Sequence, residues 1–90
     1  MSTIVVVSKP EEEELQRLNV RNWPIWEKEV SEFHWTYTEA ETCYILEGEV
    51  TVRSEEETVS FQKGDLVTFP QGLSCTWEVK KPVKKHYRFG

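Results

Sequence analysis

From Trp23 onward one pattern governs the chain: short runs of β-branched and aromatic residues, each cut off by turn formers. The runs are Phe33 to Tyr37, Thr42 to Leu46, Val50 to Val52, Thr58 to Phe61, Leu66 to Phe69, Ser74 to Val79 and Val83 to Phe89, with Trp26 opening the series. The breaks are Gly48, Ser54 to Glu57, Gln62-Lys63-Gly64-Asp65, Pro70-Gln71-Gly72 and Lys80-Lys81-Pro82. Such runs fit pleated, half-buried strands, and such breaks supply the backbone angles of tight turns. The spacing predicts about eight or nine short strands in an all-β sandwich or barrel. Closing the sheet would hide edges that otherwise invite aggregation.

Ninety residues hold one hydrophobic core, so a single domain spanning 1–90 is expected. Residues 1–22 read as an N-terminal strand and short helix, and 23–90 as the β core. Ile4 to Val7 is a β-branched run. Ser8 with Glu11 matches a capping box, and Glu11 to Glu14 put negative charge at the positive end of a helix dipole. Leu15 and Leu18 would dock that helix, and the acidic run reads as a solvated helix start.

Charge narrows the partners. Sixteen acidic against eleven basic residues give a net charge of −5, which disfavours nucleic acid, whose phosphates need a basic face. Lys84, Lys85 and Arg88 are too few to make one. No apolar run is long enough to cross a membrane, and MSTIVVVSKP lacks the basic region and apolar stretch of a secretory signal. Two cysteines cannot build a disulfide framework or a four-cysteine zinc site. The expectation is a soluble, cytoplasmic domain, and its Glu and Lys content fits a thermostable protein.

Strand parity sorts the side chains. Phe33, Trp35 and Tyr37 share one face; Glu41, Cys43 and Ile45 another; Cys75, Trp77 and Val79 a third. Val83, Lys85, Tyr87 and Phe89 share a face opposite Lys84, His86 and Arg88, which places His86 toward solvent. Two apolar rows thus each contain one ionisable group, Glu41 and Lys85. A charge in such a row is costly unless paired or used.

Two motifs resemble those of the cupins. Glu41-Thr-Cys-Tyr-Ile-Leu-Glu-Gly48 is similar to the end of the first cupin motif, and Gly64-Asp-Leu-Val-Thr-Phe-Pro70-Gln-Gly72-Leu-Ser-Cys75 to the second. The stretch from Phe33 to Lys85 resembles the small cupin branch that includes ureidoglycine aminohydrolase-like domains. The resemblance implies a double-stranded β-helix, a jelly-roll barrel with a pocket at one end. It also implies a metal site of two His and a Glu from the first motif and a His from the second. This chain keeps the Glu as Glu41, has Cys75 at the second-motif His position, and offers only His34 and Thr36, or Trp35 and Tyr37, for the first-motif pair.

If Glu41 and Cys75 occupy their family positions, both point into the barrel as the catalytic candidates. Trp35, Tyr37, Cys43, Trp77 and Lys85 become the ligand-binding candidates, while Trp23 and Trp26 close the barrel. The weak metal alternative is Glu41, Cys75 and His34. Glu41 has a second reading as a structural partner of Lys85 or a hydroxyl, and Cys43 as an inert core residue. The expected function is a cupin that binds a small molecule in its barrel beside an incomplete histidine metal site, with no cofactor and as a homodimer through an exposed strand. The alternative is a hydrolase acting on a ureido or amidine metabolite with Mn or Zn, using Glu41 as base or ligand. A third reading makes Cys75 a redox thiol activated by Lys85.

Overall fold

The computed structural model describes residues 3–90; the first two residues of the expected 1–90 domain lie outside the described residues. The chain runs β1 (Val5–Ser8), α1 (Glu12–Leu18), a 3-10 turn (Val20–Asn22), β2 (Ile25–Lys28), β3 (Ser31–Thr36), β4 (Glu41–Arg53), β5 (Thr58–Gln62), β6 (Asp65–Phe69) and β7 (Ser74–Phe89). All pairings are antiparallel. The domain is all-β, as the strand rhythm predicts, and a jelly roll, as the resemblance implies.

Strands β4 and β7 form its spine. They pair with each other from Glu41–Phe89 to Arg53–Thr76. Their outer halves carry different partners. Toward one end the order is β1-β6-β4-β7-β2; toward the other, β5 pairs β4 and β3 pairs β7. The two layers meet through apolar rows. Cys43 and Ile45 of β4, Val67 and Phe69 of β6, Phe61 of β5 and Trp77 of β7 belong to one buried cluster. Trp77 is central: Phe61 and Phe69 each lie 5.6 Å from its ring.

The strand count is lower than the turn signals suggest. Gly48 and Lys80-Lys81-Pro82 do not end strands; they are bends inside β4 and β7. The reason is their juxtaposition. The β4–β7 register shifts between Ile45 and Val50, and Pro82 faces that irregular stretch, where the ladder asks for no N–H. Gly48 has φ +103°, and a Cβ there would collide with the Pro82 carbonyl oxygen and approach the Val83 Cα to 2.7 Å. One glycine and one proline thus let two long strands serve both layers.

Two other expectations are corrected. Ser8 does not cap the helix: its backbone is engaged with Asp65 in the β1–β6 ladder, and Glu11 is the N-cap residue without a side-chain bond. Leu15 docks α1, and Leu18 is half-buried. His86 does not face solvent. The chain around Trp23 folds over it, and its Nδ1 lies 2.9 Å from the Trp23 carbonyl oxygen. Parity gives the face of a strand correctly but not whether a loop covers it.

Candidate aromatic pocket

Where the outer strands β2 and β3 flank β7, a cavity of about 460 Å³ opens between them. Its wall is aromatic. Trp26 comes from β2, Phe33 and Trp35 from β3, Tyr37 from the segment after β3, and Trp77, Tyr87 and Phe89 from β7. Lys28 and the exposed His34 stand at its margin. The rings support one another. Phe33 stacks on Trp77 at 5.9 Å, Trp26 meets Trp77 edge-on at 6.0 Å, and Tyr37 stacks on Phe69 at 4.8 Å. Trp77 Nε1 donates to Tyr37 Oη at 3.1 Å, which fixes both rings. Burial, and next the Glu41 charge, push the Tyr37 phenol up, so it stays protonated.

The only buried ion pair among the described residues lies in this cavity. Lys85 Nζ donates to Glu41 Oε2 at 2.8 Å, with side-chain exposures of 6% and 4%. The ammonium also sits over the rings of Trp77 at 4.7 Å, Trp26 at 4.9 Å and Tyr87 at 6.0 Å. This geometry follows from the ladder: Trp26 is paired with Lys85 across β2–β7, and Tyr87 lies two residues beyond Lys85 on the same face. A carboxylate and three π faces thus enclose one cation.

Of the expected site residues, Glu41, Lys85, Trp35, Tyr37 and Trp77 line this cavity. The two cysteines do not. Cys43 is fully buried in the core. Cys75 Sγ turns toward the Trp35 carbonyl oxygen at 3.7 Å and borders a separate groove with Arg53 and Leu73. Both thiols are free. Burial pushes Cys43 up to about 12, against the pull of Lys85, and burial with the Glu41 charge pushes Cys75 up to about 11. At neutral pH both are thiols rather than nucleophilic thiolates. Trp26, expected to close the barrel, lines the cavity because its partner in the ladder is Lys85. Trp23 stays outside, with the Arg88 guanidinium 4.8 Å over its ring. Sequence reasoning also left out Phe33, Tyr87 and Phe89 as lining residues; parity already put each beside a candidate.

The EutQ-like cupin domain family matches residues 15–87. The chain belongs to this family. It is similar over its full length to a DUF861-family protein from Thermotoga maritima, with 54% identity, all of that chain covered and a TM-score of 0.90. A Salmonella typhimurium protein named for ethanolamine utilization, EutQ, is 31% identical over 72% of this chain, with a TM-score of 0.66; the match spans about half (53%) of that protein. Clostridium difficile EutQ shares the fold, at 19% identity and a TM-score of 0.68, over 98% of this chain and 68% of its own. No curated protein matches the chain.

In this EutQ-like cupin the residues at the resemblance's metal positions do not fit a metal. Among the described residues no group of three His, Cys, Asp or Glu side chains could hold one. His34 is exposed, and Cys75 is turned to a carbonyl. Glu41, the one family ligand retained, already has an ammonium at 2.8 Å. A second cation at that carboxylate would meet Lys85 at close range, and like charges so placed repel strongly in a low dielectric.

Proposed function

We propose that this cupin binds a small, flat, largely apolar molecule with one polar group, held between aromatic walls with that group at the Glu41–Lys85 pair. The observation that carries the reading is the ion pair itself. A buried pair is rarely worth its desolvation as a brace, so its place in an open-mouthed aromatic cavity favours a role toward a ligand. The rings supply area and the pair supplies orientation. Ethanolamine, suggested by the relatives' name, fits poorly: its ammonium would enter a cage that Lys85 already fills.

The hydrolase reading, metal-assisted cleavage of a ureido or amidine bond, needs a cation beside Glu41 that Lys85 displaces. Native mass spectrometry of protein taken directly from its host tests both, together with indole N–H spectra of Trp26 and Trp77 during titration with aromatic fragments. A retained organic mass or shifts confined to those indoles supports binding. Stoichiometric Mn or Zn, with turnover lost in Glu41→Gln, would replace it by the hydrolase. Neither a retained mass nor any shift would defeat the proposal.

A further inference from the structure

We propose that Lys85 is a covalent site: its amine condenses with the carbonyl of a small aldehyde or ketone in the aromatic cavity to form an imine. This rests on the binding reading and names its ligand class.

Four observations converge. Lys85 lines the cavity, although only 6% of its side chain is exposed. Its Nζ lies within 6.0 Å of the ring centres of Trp26, Trp77 and Tyr87, which line the same cavity. Glu41 Oε2, 2.8 Å away, is placed to take and return protons. The rings of Trp26, Trp77 and Tyr87 flank the nitrogen at 4.9, 4.7 and 6.0 Å and give it an apolar surrounding. Lastly, neither thiol lines the cavity, and of the two lysines that do, Lys28 stands 38% exposed beside Glu29 while Lys85 pairs with the Glu41 carboxylate, so the Lys85 amine is the nucleophile with a base at hand.

The step balances without a further reactant. The ammonium passes a proton to Glu41, and the freed nitrogen lone pair attacks the carbonyl carbon. A C–N bond forms as the C=O π pair moves to oxygen, which takes the proton back from Glu41. A second proton then leaves nitrogen for Glu41 and is delivered to the hydroxyl. The C–O bond breaks, water departs, and the nitrogen pair closes the C=N bond. The sum is one ammonium plus one carbonyl giving one iminium plus one water. The product keeps a single positive charge on the same nitrogen. The carboxylate and ring faces that stabilise the ammonium therefore stabilise the iminium as well. An apolar wall further favours loss of water from the carbinolamine.

The neighbouring residue provides an internal control. Lys84 lies on the opposite face of β7, outside the cavity. Intact protein is incubated with cinnamaldehyde and sodium cyanoborohydride, which at neutral pH reduces iminium ions in preference to aldehydes, and the reduced adduct is located by peptide mass spectrometry. We expect one adduct per chain, at Lys85, formed at least tenfold faster than at Lys84 or the other lysines. Glu41→Gln should slow its formation more than tenfold, and Lys85→Arg should abolish it. Adducts spread over the exposed lysines with Lys85 spared, or no adduct at all, overturn the proposal in the wild-type protein, whatever the variants do. Cinnamyl alcohol, which has the same body and no carbonyl, separates the two readings. If it perturbs the pocket indoles while the aldehyde leaves Lys85 unmodified, covalent chemistry fails and binding stands. If it perturbs nothing and no adduct forms, both fail.

Discussion

The Glu41–Lys85 pair should cost the fold more than it returns, and a double-mutant cycle measures this. Lys85→Met removes the one cation that, among the described residues, pairs with a carboxylate only 4% exposed. Breaking a buried pair from one side typically costs ~3–5 kcal/mol, because the other charge is left stranded. Lost contacts to Trp26 and Trp77 add about 0.5–2 kcal/mol. A domain of this size has roughly 5–15 kcal/mol to lose, so the variant should be severely weakened. At ~4–8 °C per kcal/mol the melting temperature should fall by about 15–55 °C. Glu41→Leu, which strands the ammonium, should fall comparably. The double variant Glu41→Leu/Lys85→Met strands nothing and should return to within about 1 kcal/mol of the parent, or exceed it. The assay is urea unfolding by far-ultraviolet circular dichroism at fixed pH, read as midpoint shifts at constant slope. If the losses of the single variants add in the double, the pair has no coupling and the reasoning is wrong. If the double variant unfolds as readily as either single variant, the pair is a structural brace, and the functional argument built on it loses its basis.

Three further outcomes follow from the same structure. Gly48→Ala places a Cβ against the Pro82 carbonyl at φ +103°; left-handed backbone costs ~1–2 kcal/mol and overpacking ~1–3 kcal/mol, so thermal melting should show a loss of at least about 2 kcal/mol. Trp77→Phe removes the indole N–H that bonds Tyr37 Oη and leaves a gap in the centre of the core; a loss of about 1–3 kcal/mol and weaker fragment binding are expected by denaturation and titration. The thiols set an alkaline limit. Folded values of about 12 for Cys43 and about 11 for Cys75 lie above the ordinary 9.0, so the unfolded chain gives up these protons first. Stability should be unaffected by them below pH ~9 and fall above it, up to about 11 for Cys75 and about 12 for Cys43, by up to ~1.4 kcal/mol per pH unit for each thiol within its window. Cys43→Ala/Cys75→Ala should flatten that part of the profile, and an unchanged slope would refute the assignment.

How much of this was legible in the sequence depends on the range of the interaction involved. Which faces are buried was legible, because alternation is a local property: Glu41, Cys43 and Ile45, and likewise Cys75, Trp77 and Val79, all point inward. Strand number was not, because Gly48 and Pro82 are both turn formers in isolation. Only their meeting across the β4–β7 ladder makes them bends in continuous strands. His86 failed for the same reason: its cover comes from Trp23, 63 residues away in the chain.

The site divides along the same line. Parity marked Glu41 and Lys85 as the two charges in apolar rows, and 44 residues of separation did not hide them, since each was anomalous by itself. Trp26 gave no such sign. Its part in the cage comes from the Trp26–Lys85 register, which no local pattern encodes. Cys75 is the converse. The motif puts it at a histidine position, yet its thiol is turned to the Trp35 carbonyl. A motif fixes the Cα, while the neighbours decide where the side chain goes. What the motif positions contain therefore does not by itself describe the site. The site is built by a cation carried by β7 that stands at the carboxylate of β4. A protein-borne ammonium cannot exchange with solvent as a metal ion can, and once it has given up a proton its amine can bond to carbon. If the lysine replaces the missing ligand set in function, chemistry at Glu41 should depend on the Lys85 nitrogen and stay indifferent to chelators. Lys85→Arg, which keeps the charge but not the free amine, separates these two roles of the cation.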